Sequence, residues 1–270
     1  MMKMRMITPV SSILLRYINN GHKKDNNYDI AKAMLDNFND IPRMTIHDLA
    51  DRCYVSPASI SRFIRNIGYD SYTSFKKECR ESFGIDVDYS KDISNSLPNE
   101  IEEVFTKYTE SVKENIAYTL ENIDVDQMNR ISELIYKSND IALFGLEFAT
   151  LLGQHFQIKM ASMNKFVKIG ITYDEQKEIA ESLSDGSLVF IISLEGGYFY
   201  RGDEVFNFLK KKNVTIVAIT MNNNSKLLRD VDEILVCNKD NSSTQGRITL
   251  LYMIELILMN YCINYKNLNK

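Results

Sequence analysis

From residue 141 onward the chain alternates short, unbroken apolar runs with longer segments of helical period. No other feature constrains the fold as tightly. The runs are IALF (141–144), FVKI (166–169), SLVFIIS (187–193), TIVAIT (215–220) and EILVC (233–237). A strand with one wet face alternates apolar and polar residues, whereas an unbroken run belongs to a strand covered on both faces. Helical patterns separate the runs at 150–163, 175–184, 203–212 and 244–265. Strands and helices in this order predict a parallel sheet with helices on both sides.

The first 85 residues carry helical patterns only. Segments 12–19 and 28–38 read as helices, the second with Ile30, Met34, Leu35 and Phe38 at helical spacing. GIDVDYSKDISNSLP, by contrast, has no helical period and is rich in Asp and Ser, which predicts a linker over 84–98. A long amphipathic helix is expected at 99–120, with Ile101, Val104, Phe105, Tyr108, Val112, Ile116 and Leu120 as its stripe. The predicted organisation is an all-α domain over 1–83 and an α/β domain over 99–270. Residues 1–85 hold 13 Lys and Arg against 9 Asp and Glu, which leaves 19 against 27 for the rest. A basic front half suits a polyanionic partner.

The segment TIHDLADRCYVSPASISRFIRNIGY (45–69) has the grammar of two short helices joined by a tight turn. Thr45 can cap the first helix, which buries Ile46, Leu49 and the small Ala50. Cys53 and Val55 close the turn. Ser56 followed by Pro57 starts the second helix, since a hydroxyl can cap it and proline is tolerated where no amide proton is needed. Ile60, Phe63, Ile64 and Ile67 form its buried face, and Gly68 stops it. Its outer face carries Pro57, Ala58, Ser59, Ser61, Arg62 and Arg65. In a helix-turn-helix the N-terminal residues of this second helix enter the major groove. Arg62 and Arg65 suit guanine edges or phosphates, and the serines suit bases or backbone. Lys76, Lys77 and Arg80 follow and suit phosphate.

Cys53, Cys79, Cys237 and Cys262 lie far apart in sequence, as do His22, His47 and His155, so no metal site, redox pair or cofactor is expected. Scattered single cysteines fit a reducing cytoplasm. The longest apolar candidate for a membrane span, 250–263, is broken by Glu255 and Asn260, and residues 1–10 lack the apolar core of a secretory leader. No membrane association is therefore expected.

MTIHDLADRCYVSPASISRFIRNIGYDSYTSFK (44–76) resembles the helix-turn-helix signature of the RpiR family of regulators, in which a threonine-capped helix, VSPASISRF and a GYxSYxxFK tail recur. The resemblance implies a DNA-binding transcription regulator of sugar or amino-sugar metabolism genes. It also implies that the second domain is a sugar-isomerase (SIS) domain with a flavodoxin-like fold of five parallel strands. FGLEFA (144–149), IISLEGG (191–197), AITMNNNSKL (218–227), Asp232 and the long terminal helix match SIS landmarks in order and spacing. A duplex operator, a sugar or sugar-phosphate effector and a homodimer or tetramer are the partners so implied. The stripe at 99–120 and the terminal helix are apolar enough to serve as oligomer faces or to pack on their own sheet.

The SIS resemblance places effector contacts in the loops after the first and third strands, at Gly145, Glu147, Ala149, Ser193, Glu195, Gly196, Gly197 and Tyr198. Such loops offer backbone amides and hydroxyls to a phosphate. The family pattern has a serine in the first loop and serine-x-serine-glycine-x-threonine in the second. Here the first position is Ala149. The second loop keeps Ser193 and Gly196 but replaces its other two hydroxyls with Glu195 and Tyr198. Each lost hydroxyl bond costs about 0.5–1.5 kcal/mol, and a carboxylate beside a phosphate adds repulsion. The site is therefore expected either to take another ligand class, such as an amine, a neutral sugar or a cation at Glu147 and Glu195, or to be silent. Arg201 would partly compensate the charge. A sugar-phosphate isomerase is the competing function, and a dimerisation scaffold without a ligand is another. His155 and Glu255 fall at core-like helical spacing and read as structural, so no catalytic residue is expected.

Overall fold

The computed structural model describes residues 10–20, 25–81, 96–201, 203–222, 224, 226–237 and 243–266, with the side chains of 20, 81, 201, 203 and 243–245 outside the description. Residues 84–95 of the linker expected over 84–98 lie outside the described residues. The chain divides into two compact units, Met1–Val87 and Asp88–Lys270.

The first unit is helical. It consists of α1 (Val10–Asn20), α2 (Asn26–Asp36), a 3-10 turn (Ile41–Arg43), α3 (Ile46–Arg52), α4 (Pro57–Asn66) and α5 (Tyr72–Glu81). One core joins them. Leu14, Ile30, Met34, Leu49, Ala50, Ile60, Phe63, Ile64 and Phe75 are all buried in it. The small Ala50, inward on α3, leaves room for α4 to cross closely.

The second unit begins with a 3-10 turn (Pro98–Glu100), α6 (Ile101–Glu121) and α7 (Val125–Lys137). It continues through β1 (Ile141–Gly145), α8 (Phe148–Ala161), β2 (Lys168–Ile169), α9 (Tyr173–Ser182) and β3 (Leu188–Ser193). Two short helices, α10 (Gly197–Arg201) and α11 (Asp203–Leu209), precede β4 (Thr215–Thr220), β5 (Glu233–Val236) and the terminal α12 (Ser243–Tyr265). The five strands are parallel in the order β2-β1-β3-β4-β5. This is the flavodoxin-like order, and its crevice lies beyond the carboxyl ends of β1 and β3, where the order reverses. β1 and β3 are buried along their whole length, as their unbroken apolar runs require. Ile141, Leu143, Leu188, Phe190, Ile192, Val217 and Ile219 share a core with α7, α8 and α12. The alternate residues Ala142, Phe144, Val189 and Ile191 are equally buried and point to the opposite face.

Three elements depart from the expected pattern. β2 is only two residues long, because it is an edge strand pairing with β1 at Lys168 and Ile169, and Phe166 is left 70% exposed. α6 forms where expected but buries Asn115 and Thr119, while Ile101, Phe105 and Leu120 stay exposed. The Thr119 hydroxyl lies 2.8 Å from both the Asn115 and Cys237 carbonyl oxygens, which satisfies it within the unit. The terminal helix is the third: interrupted at Glu255 and Asn260 as expected, Gly246–Tyr265 still has the length and composition of a helix that could cross a bilayer. Its Leu250, Met253, Ile254, Ile257, Leu258 and Tyr261 are instead buried in the sheet's core.

Candidate nucleic-acid interface and effector crevice

α3 and α4 are built by their caps. Thr45 and Asp48 form a reciprocal capping box, in which the Asp48 N–H bonds the Thr45 hydroxyl (3.2 Å) and the Asp48 carboxylate accepts the Thr45 N–H (2.8 Å) and O–H (2.7 Å). The Thr45 N–H and hydroxyl hold that carboxyl below its ordinary range. Ser56 caps α4 by accepting the Ser59 N–H at 3.2 Å, with Pro57 at the first turn. Gly68, at φ 98°, turns the chain out of α4.

These caps sort the residues expected to meet DNA. The Thr45 hydroxyl is committed to Asp48. Ser56 and Ser59 are 3.0 Å apart hydroxyl to hydroxyl and engaged in the cap. Ala58, Arg62 and Arg65 are exposed, with Ser61 and Pro57 half-buried beside them. The spacing of 58, 61, 62 and 65 puts them on one helical face. Lys76 is partly spoken for: its ammonium donates to the Met44 carbonyl at 2.6 Å and lies 5.6 Å from the centre of the Tyr72 ring. The Tyr72 hydroxyl lies within hydrogen-bond distance of the carbonyls of Met44 (3.0 Å) and Thr45 (3.1 Å). Tyr72 and Lys76 thus fasten α5 to the start of α3. They line a cleft of about 450 Å³ with Thr45, Lys77 and Arg80.

In the second unit, the loops after β1 and β3 meet at the sheet's switch point. Gly145 ends β1, and a β-carbon there would come within 2.5 Å of the Ala149 β-carbon and 3.1 Å of the Ile192 carbonyl oxygen. Ala149 is buried against that glycine. Glu147 is exposed and holds φ at 51°, a left-handed value that side chains rarely adopt. In the second loop, the Ser193 hydroxyl accepts the Tyr198 N–H at 3.0 Å. Gly196 takes φ of 80°, and Asn222 lies 3.0 Å from where its β-carbon would stand. Asn222 donates to the Glu195 carbonyl oxygen at 2.7 Å, and the Thr220 hydroxyl donates to the Ser193 carbonyl oxygen at 2.5 Å. The Glu195 side chain is exposed at the mouth, and Gly197 is half-buried.

Tyr198 does not face the mouth. It is 1% exposed, and its hydroxyl donates to the Gln176 side-chain oxygen at 2.9 Å. Burial raises that phenol well above its usual range. The Gln176 amide donates in turn to the carbonyl oxygens of Gly145 (2.7 Å) and Gly170 (3.0 Å). One buried network therefore ties the loops after β1, β2 and β3 together. Gln176 and Asn222 carry no sequence signal beyond polarity within a helix and a loop. Arg247, near the start of α12, stands 5.6 Å from the centre of the Phe148 ring and brings a cation to the β1 loop. The Arg201 side chain, expected to offset the acidic groups, lies outside the described residues. His155 and Glu255 pair with each other across α8 and α12, both partly exposed. Among the described residues no group of three or more His, Cys, Asp or Glu is placed to hold a metal ion.

Comparison with known proteins assigns both units. Residues 13–84 match the helix-turn-helix domain of the rpiR family, and residues 134–261 match the SIS domain. An HTH-type transcriptional regulator in the aarA 3'region of Providencia stuartii is 23% identical over 267 residues, covering 94% of this chain and 89% of that protein. The HTH-type transcriptional regulator HexR of Escherichia coli is 23% identical over 205 residues, covering 74% of this chain and 68% of its own. Among solved structures, the Vibrio vulnificus NanR protein complexed with ManNAc-6P superposes with a TM-score of 0.53 at 20% identity, covering 94% of this chain and 93% of that one. The sugar isomerase domain of an RpiR transcription factor from Sphaerobacter thermophilus gives 0.51 at 17% identity, covering 62% of this chain and 92% of that one. At these identities the structural likenesses show the fold.

Proposed function

The chain belongs to the RpiR family of helix-turn-helix transcription regulators, and from that membership we propose that it binds its operator through α4 and answers to a ligand other than an ordinary sugar phosphate. The exposed face of α4 carries the DNA reading. Ala58, Ser61, Arg62 and Arg65 line one side of a helix whose capped, proline-started N-terminus suits insertion into the major groove. The regulator works as a dimer or tetramer in the cytoplasm, with 84–98 linking its two domains, and controls genes of sugar or amino-sugar use.

The effector reading rests on the fate of the loop hydroxyls. Ala149 and Tyr198 are turned inward, Ser193 is bonded to the Tyr198 amide, and Glu195 places a carboxylate at the mouth. NanR was solved with a phosphosugar; a site arranged like this one favours a neutral or amine-bearing sugar, or none. Arg247 favours a second reading, in which the crevice still takes an anion from the α12 side. Catalysis finds less support, because His155 and Glu255, on α8 and α12, are each engaged with the other.

Fluorescence anisotropy of the full chain on DNA flanking its own gene, with a panel of sugars, amino sugars and sugar phosphates, tests both parts. Specific binding shifted by an amino sugar or neutral sugar supports the reading. A shift by sugar phosphates alone transfers the role to Arg247. An aldose–ketose isomerase activity in the purified chain would overturn the regulator-only assignment.

A further inference from the structure

Tyr54 stands in the turn between α3 and α4, two residues before the Ser56 cap. It is 96% exposed and holds φ at 54°. The turn is fixed by backbone bonds, Tyr54 N–H to the Asp51 carbonyl (3.2 Å) and Val55 N–H to the Ala50 carbonyl (3.0 Å), so the ring is not needed to close it. A side chain in the left-handed region is strained where glycine is at ease. A large ring in water gives the fold no burial in exchange. Strain kept without a return in packing marks a position held for function.

The place of the ring says which function. The turn delivers the chain to the N-terminus of α4, the end that a helix-turn-helix inserts into the major groove. On its other side Tyr54 shares a cleft with three carboxylates, Asp40, Asp48 and Asp51, and two guanidinium groups, Arg43 and Arg52, a lining without the cationic excess that holds phosphate. The apolar part of the duplex that lies in the major groove is the thymine methyl group. We infer that Tyr54 is a specificity-determining residue that packs its ring on a thymine methyl at the edge of each half-site. This rests on the DNA-binding reading above.

The test uses the full chain and a duplex selected by it from a random-sequence pool. Tyr54→Gly is expected to bind that duplex about five- to twentyfold more weakly. The dependence of log Kd on log salt should keep its slope, because no charge is lost. The Tm should lie within about 3 °C of the parent or above it, since glycine accepts this φ. Replacing one thymine per half-site with deoxyuridine should weaken the parent and leave Tyr54→Gly unaffected. Binding by Tyr54→Gly within twofold of the parent overturns the inference. So does a loss of affinity accompanied by a larger fall in Tm, and so does a duplex in which no thymine methyl matters. Arg62→Ala separates the two levels. If it loses binding while Tyr54→Gly keeps it, only Tyr54 is wrongly assigned; if the parent selects no duplex, the DNA-binding reading itself fails.

Discussion

The Tyr198 hydroxyl donates to the side-chain oxygen of Gln176 at 2.9 Å, inside a unit where both residues are almost wholly buried. The bond ends a chain through Gln176 to the carbonyls of Gly145 and Gly170. Tyr198→Phe would leave one buried acceptor unpaired and is expected to destabilise the C-terminal unit by about 1–3 kcal/mol. Gln176→Leu strands the phenol and takes a donor from both carbonyls, of which Gly145 keeps the Thr150 hydroxyl at 3.3 Å, and is expected to cost about 2–5 kcal/mol. The double variant should cost less than the sum, because the pair shares one bond. Urea unfolding of the four proteins measures this; a Tyr198→Phe curve that overlies the parent would remove the network from the stability of the crevice.

Sequence reading found the frame of this crevice and misplaced part of its lining. The parallel sheet was legible because apolar runs of strand length have few other homes. Thr45 and Ser56–Pro57 were legible as starts because capping chemistry is local. The SIS resemblance puts Tyr198 among the effector contacts, at the threonine of that pattern, yet the short helix Gly197–Arg201 rotates it inward toward Gln176. That partner lies 22 residues away in sequence, and only the fold brings them together. α6 misled in a different way: Asn115 and Thr119 share the face of its apolar stripe and are its buried members, while Ile101, Phe105 and Leu120 in that stripe stay exposed.

Arg62 and Arg65 occupy different turns of α4 and should fail differently. Arg62 lies nearer the N-terminal end that meets base edges. Arg62→Ala is expected to cost about 1–3 kcal/mol and to relax preference at one base pair. Arg65, in the last turn, is better placed for phosphate. Arg65→Ala should weaken all sequences alike and lower the salt slope by about one. Anisotropy titrations at several salt concentrations separate the two; equal slopes for both variants would reject the division of labour.

The four cysteines differ in burial, and their reactivity is expected to differ with it. Burial pushes the Cys53 thiol up to about 11 and the Cys79 thiol up to about 12, and it raises Cys237 further. Each is almost entirely thiol at neutral pH, and the thiolate is the nucleophile. Cys262 is half-buried on α12. A thiol reagent such as DTNB at pH 8 should therefore release close to one equivalent quickly from the folded chain. The other three should react only as fast as the units open. Rapid release of two or more equivalents, with the circular dichroism unchanged, would contradict this burial.

On α6, Ile101, Phe105 and Leu120 are 55%, 63% and 57% exposed, in addition to the charged side of the helix, which faces water. The packed part of the helix is its C-terminal half, where Asn115 and Thr119 continue the face of Tyr108 and Val112 and the Thr119 hydroxyl meets the unit's own carbonyls. Exposed apolar area gains about 25 cal/mol for each Å² removed from water, so a helix oriented this way is stabilised by a second apolar face. A regulator reading two half-sites one helical turn apart needs a second copy in any case. Phe105→Asp places a charge in the exposed N-terminal part of the stripe, away from the buried Asn115 and Thr119. It is expected to shift sedimentation from dimer to monomer at micromolar concentration while the far-ultraviolet dichroism stays unchanged. DNA affinity should fall with it, because a monomer holds only one half-site. A variant that sediments as the parent does would place the oligomer contact elsewhere, with the exposed Met259 and Ile263 of α12 the next surface to change.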